Sequence, residues 1–109
     1  MLFRSVPNVV FFRLNSATID ANQQISVFNT ADFMKKTGEK IKVIGYADKG
    51  TGTNAINLAL SERRAKAVAK ELTTKYNIPS ERIVIDWKGS NEQPYPQNNW
   101  NRVVIMSAQ

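Results

Sequence analysis

The spacing of apolar positions changes several times along the chain, and each change marks an element. From Val9 the run Val-Val-Phe-Phe is β-branched and aromatic and stops at Asn15-Ser16, which predicts a strand followed by a loop. Between Ile19 and Gly38 the period lengthens. Val27, Phe28, Ala31 and Met34 recur at helical spacing, Asp20 with Gln23 three residues on makes a box-like start, and Gly38 ends the helix. "EKIKVIGYAD" alternates again, with Ile41, Val43 and Gly45 on one side and Ile44 and Tyr46 on the other. A second helix is expected over about 54–76, then a turn in which Pro79 and Ser80 start one helical turn. Ile83, Ile85 and Trp87 face one way in a third strand. A polar loop with two prolines, too long for a tight hairpin, leads to the last strand, "NRVVIMSAQ". The order βαβαββ, with no internal repeat, predicts one α/β domain over residues 1–109: a single-layer, four-stranded mixed sheet with two main helices packed on it.

The second helix departs from a clean pattern. With Ile56 at 0° and about 100° per residue, Leu60, Val68, Leu72, Ala65 and Leu58 fall at roughly 40°, 120°, 160°, 180° and 200°. On the same wheel Arg64, Asn57 and Ser61 fall at about 80°, 100° and 140°, inside the apolar arc, while Arg63, Lys66 and Lys70 lie opposite. Asn57 has an alternative role as a capping residue, Ser61 as a structural hydroxyl, and Arg64 as a cation that snorkels past the core edge. A buried guanidinium, however, costs several kcal/mol without an anion. Asp48, at the C-terminal end of the second strand, where α/β sheets often bind ligands, offers two solutions. It bridges Arg64 directly, or the two charges stand apart and grip a zwitterion, Asp48 taking an ammonium and Arg64 a carboxylate.

Composition narrows the chemistry. Of the 109 residues 42% are hydrophobic, enough for one core, and there is neither Cys nor His. That removes disulfides, thiol chemistry, the usual general base and the usual zinc ligand, so no cofactor or metal is expected. Asp48 is the only acid at the site, and hydrolysis needs a nucleophile with a base, paired carboxylates or a metal; the chain reads as a binding module and not an enzyme. The net charge of +6 suggests a polyanionic partner, and a basic α/β domain that binds RNA or another polyanion is the alternative reading. No segment approaches the roughly 20 apolar residues of a membrane span, and "MLFRSVPNVVFF" does not read as a signal peptide. Any membrane attachment is expected to come from a segment outside these residues.

The stretch "GYADKGTGTNAINLALSERRAKAV" resembles the signature of OmpA-like C-terminal domains: Gly45 and Asp48, a Gly-containing loop, then Asn57, Leu60, Ser61, Arg64, Ala65 and Val68. The likeness extends to "VFFRLNS", to Ile78-Pro79 with Arg82-Ile83, and to Asn101-Arg102. It departs at Val103, where the family has a second Arg, at Ala47, where many relatives have Thr, and in a 48–57 loop one residue longer than usual. The resemblance implies non-covalent binding of peptidoglycan by a domain in the periplasm of a Gram-negative cell, tethered to the outer membrane, with no nucleic-acid partner. It further implies that Asp48 holds the ammonium and Arg64 the carboxylate of meso-diaminopimelate, that Asn57 orients the same group, and that Asn15 and Arg102 line the pocket.

Overall fold

The computed structural model describes residues 8–108; the first seven residues of the N-terminal stretch read above as no signal peptide, and Gln109 of the last strand, lie outside them. Four strands, β1 (Asn8–Phe11), β2 (Ile41–Gly45), β3 (Ile83–Trp87) and β4 (Val103–Ala108), form one sheet in the order β1-β4-β2-β3. β4 is antiparallel to both neighbours, and β2 and β3 are parallel, so the sheet is mixed as expected. The parallel pair is joined through α2 (Asn54–Thr74), and α1 (Gln24–Lys36) connects β1 to β2. Short 3-10 turns precede α1, β3 and β4.

Strand register decides which side chains meet the helices. Val10, Val104, Val43 and Ile41 share one face by pairing and alternation. They form the core with Val27, Ala31, Phe33 and Met34 of α1 and Ala65, Val68 and Leu72 of α2, all but Phe33 at most 1% exposed. Each of the larger ones (Val, Ile, Leu, Met, Phe) contributes about 1.5–3 kcal/mol by leaving water. Both helices cover this one face, which is the single-layer arrangement the element order predicts.

Three local expectations change. Phe28 is half exposed and packs edge-on against Tyr76, while Thr30 and Phe33 complete the buried face of α1. Thr30 tolerates burial because its hydroxyl donates to Ser26 O and accepts from Asn8 Nδ2. Asp20 makes no side-chain cap; a 3-10 turn leads into α1, so Asp20 pairs with Arg13 and Gln23 accepts the Phe11 N–H instead. On α2, Ile56 and Leu58 are 52% and 44% exposed, so the buried arc is centred on the polar row and not on Ile56.

Gly45 sets the distance between α2 and β2. A Cβ there would overlap the Ser61 carbonyl of α2, so only glycine lets the helix approach this closely. The approach brings the first turns of α2 to the C-terminal end of β2, the end that carries Asp48.

Candidate ligand site

All five residues singled out from the sequence gather at this end of the sheet. Asn15 sits in the loop after β1 with a left-handed φ of 55°, Asp48 follows β2, Asn57 and Arg64 are on the first turns of α2, and Arg102 immediately precedes β4. Asn57 is inside α2 and does not cap it; Thr53 Oγ1 accepts the Ile56 N–H as the cap. Buried instead, the Asn57 amide donates to Thr51 O (2.9 Å) and Asp48 O (3.3 Å) and so fixes the 49–54 loop over the helix start. Gly52, at φ +74°, completes that turn against the Asn57 side chain. Ser61 donates to Leu58 O and accepts the Gly89 N–H, a structural role.

Arg64 turns inward and is 0% exposed, as its place on the wheel implies and as snorkelling would not allow. Its guanidinium meets three backbone carbonyls: Nε donates to Ser16 O (2.8 Å), one terminal nitrogen to Tyr46 O (3.0 Å), the other to Arg13 O (3.2 Å). The guanidinium carbon stands 5.4 Å from the Phe12 ring centroid. Burial pulls the Arg64 pKa down to about 10, against the opposing pull of the Asp48 charge, with Arg102 and Arg63 lowering it further. The group remains a cation at neutral pH. Three hydrogen bonds use three of its five N–H donors.

Asp48 is also buried, at 2% exposure, but it does not bridge Arg64. Its intramolecular partner is Arg102, whose Nε donates to Oδ1 at 3.1 Å. The other oxygen, Oδ2, accepts from Thr51 Oγ1 (2.9 Å) and Asn98 Nδ2 (3.0 Å). Burial works to raise the Asp48 pKa, but the hydrogen bonds from Asn98, Thr51 and Arg102, with the Arg102 charge, outweigh it and hold the carboxyl below its ordinary value. Asn98 also accepts the Gly50 N–H, so one amide joins the 98–101 turn to the glycine loop and to Asp48.

Above these charges opens a cleft of about 310 Å³, lined by Leu14, Asn15, Thr51, Gly52, Ile56, Asn57 and Leu60. Asn15 and Asn57 reach its surface; Asp48 and Arg64 lie behind it, and Arg102 is turned to Asp48. Sequence reasoning missed Asn98. Asparagines in a polar loop carry no spacing signal, and its role follows only from the fold that brings position 98 against position 48. The two remaining N–H groups of Arg64 and the Oδ2 of Asp48 give the site opposite charges on separate walls. Charges of this pair have the chemistry to meet a carboxylate and an ammonium.

The OmpA family model matches residues 11–104. The chain is 60% identical over 103 residues to Outer membrane protein 40 of Porphyromonas gingivalis, covering 94% of this chain and 27% of that protein. It is 27% identical over 95 residues to the Peptidoglycan-associated lipoprotein of Pseudomonas aeruginosa, covering 81% of this chain and 56% of that one. The structure of the peptidoglycan-associated lipoprotein from Burkholderia pseudomallei superposes with a TM-score of 0.85 at 22% identity, over 94% of this chain and 90% of that one. The chain therefore spans about a quarter of the outer membrane protein and little more than half of the lipoprotein.

Proposed function

This chain belongs to the OmpA family, and from that premise we propose that it anchors an outer-membrane protein to the cell wall by holding the meso-diaminopimelate of the peptidoglycan stem peptide. The observation that carries this reading is the buried Arg64 cation, which among the described residues is answered by carbonyls and by no carboxylate. Partial charges on three carbonyls compensate a guanidinium incompletely, so an incoming carboxylate gains a charge-assisted, bidentate contact. Asp48 supplies the matching anion. The far carbon of diaminopimelate carries both an ammonium and a carboxylate, and this pair fits the two walls. On binding, the ammonium takes the place of Thr51 and Asn98 at Asp48 Oδ2, the carboxylate takes the free N–H groups of Arg64, and Asn57 and Asn15 line the path between them.

The outer-membrane character of the relatives supports a periplasmic position, with the tether in the part of such proteins that this chain does not span. The binding role requires no catalysis, cofactor or nucleic acid. The experiment is calorimetric titration with a diaminopimelate-type and a lysine-type stem peptide, which differ by the far carboxylate. A clear preference for the diaminopimelate type is expected, because a lysine stem leaves Arg64 facing an empty position. Equal affinities would overturn the two-walled grip. A steep fall in affinity with salt would point to the polyanion reading, since phosphate binding releases many counterions.

A further inference from the structure

Beyond the cleft, a second surface presents a cluster of partly exposed aromatic side chains. Phe11, Tyr95 and Trp100 line a second hollow of about 380 Å³. Tyr95 stands between the other two, its ring centroid 6.1 Å from Phe11 and 5.9 Å from Trp100, the latter pair edge-on. Trp100 is 48% exposed and Phe11 36%. Phe11 closes β1 and lies on the sheet face opposite the helices, while Tyr95 and Trp100 come from the loop before β4.

The platform is held rigidly. Buried Asn101 accepts the Tyr95 N–H (2.8 Å) and donates to Tyr95 O (2.9 Å) and Gln97 O (3.2 Å). Pro94 and Pro96 restrict the backbone on either side of Tyr95. A preorganised aromatic surface loses little freedom when a ligand settles on it. Among the described residues no charged side chain lines the hollow, which argues for a neutral ligand. Exposed Gln97 and Asn99 flank it along the chain and supply amide donors and acceptors. Flat aromatic faces suit the C–H faces of a pyranose ring, and amides suit its hydroxyl and N-acetyl groups.

Position completes the argument. The 98–101 turn carries Trp100 on its outer side, while Asn98 of the same turn reaches Asp48 and Gly50. Phe11 directly precedes Phe12, whose ring lies against Arg64. The hollow is thus linked to the candidate peptide site through the 98–101 turn. A stem peptide held at Asp48 and Arg64 brings the polymer that carries it to this rim, and that polymer is a glycan. We infer that Phe11, Tyr95 and Trp100 form a carbohydrate subsite that stacks a sugar ring of the glycan strand, so that the domain reads peptide and sugar together. The inference rests on the peptidoglycan reading above.

The test uses wild type, Trp100→Ala and Trp100→Phe with three probes: free diaminopimelate stem peptide, the same peptide on its disaccharide, and glycan strands stripped of peptide. Wild type is expected to bind the disaccharide-peptide roughly tenfold more tightly than the free peptide. Trp100→Ala should erase that difference and leave free-peptide affinity unchanged, and Trp100→Phe should restore most of it. Equal wild-type affinity for the two peptide probes overturns the subsite, as does an equal loss on both in Trp100→Ala. A wild-type dimer that Trp100→Ala dissolves, seen by sedimentation, also overturns it, because a second copy then occupies the hollow. If wild type binds neither the free peptide nor the disaccharide-peptide, the peptide-site reading fails. Trp100-dependent retention of stripped glycan would then still sustain the subsite, and its absence would overturn that as well.

Discussion

Asp48 and Arg64 are both buried, stand at the same end of the sheet and carry opposite charges, yet the fold answers them differently. The Asp48 carboxylate is saturated: a guanidinium, a hydroxyl and an amide donate to it, and its charge has a direct counterion in Arg102. Among the described residues the Arg64 guanidinium meets carbonyl dipoles and an aromatic face, and the Asp48 charge near it is committed to Arg102. Both groups are buried, but one carboxylate has a direct counterion and the Arg64 cation has N–H donors to spare, which on the proposed function an anion takes. The difference implies an order of events: a ligand's carboxylate gains a new partner at Arg64 without displacing any, whereas its ammonium must displace Thr51 and Asn98 from Asp48. On the proposed function, Arg64 then senses the far carboxylate that distinguishes the two stems, and Asp48 contributes affinity to both.

The strongest way to break this comparison is to remove the Arg64 cation. Arg64→Ala removes the donors of Arg13 O, Ser16 O and Tyr46 O, which tie the loop after β1 to the end of β2. Because the deletion leaves three carbonyls without their donor, the expected loss of stability is about 2–4 kcal/mol, read by urea denaturation, with the fold retained. Stem-peptide binding should fall by at least about a hundredfold. If the variant loses stability but binds as wild type does, the carbonyl cage is its whole role and the anion site is elsewhere.

How much of this was legible in the sequence follows from what carries information there. The inward turn of Arg64 is a matter of helical period, and the wheel places it correctly between Leu60 and Val68. The sheet and its two helices follow from changes of period. The partners of Arg64 are backbone carbonyls, which every residue possesses, so no residue type announces them. The partner of Asp48 could not be ranked either: Arg64 is 16 positions away and Arg102 is 54, and only strand pairing between β2 and β4 brings Arg102 beside Asp48. Phe28 misled because a helical period alone cannot place the edge of a buried face, and there Tyr76 gives it a partner outside the core. Asp20 misled because a cap depends on how the chain enters the helix, and a 3-10 turn changes that entry.

A smaller but sharper test neutralises Asp48 without emptying its place. Asp48→Asn keeps the shape and removes the charge, so both stem peptides should bind about tenfold more weakly, since an amide gives an ammonium no counterion. Acid stability provides an independent reading. The folded Asp48 pKa lies below the ordinary 3.8. Its contribution is therefore fully present above that value and is lost as pH falls through the folded value. Wild type should lose stability more steeply than Asp48→Asn below about pH 3.8. The variant keeps part of the acid limb, because Asp86 is likewise held low, chiefly by the Trp87 N–H. Superimposable pH profiles would mean that Asp48 is no better compensated in the fold than in the unfolded chain, and the contrast between the two regions would disappear.

The smallest expected effect separates geometry from charge. Arg63 is adjacent to Arg64 in sequence but exposed, on the far side of α2 from the buried row. If the site recruits a carboxylate simply because the start of α2 is basic, the two arginines are interchangeable. If it does so because one guanidinium is buried among carbonyls with donors to spare, they are not. Arg63→Ala has two opposing consequences. It removes one long-range attraction for an anionic ligand, which is weak in solvent and largely screened at physiological salt. It also removes a neighbouring positive charge that helps to lower the Arg64 pKa, which makes the Arg64 cation slightly easier to hold. The two should nearly cancel, leaving affinity for the diaminopimelate stem within about threefold of wild type at 0.15 M salt. Calorimetry on Arg63→Ala beside Arg64→Ala decides the matter. A loss with Arg63→Ala that rivals the loss with Arg64→Ala would assign recognition to the field of the helix and not to the carbonyl cage.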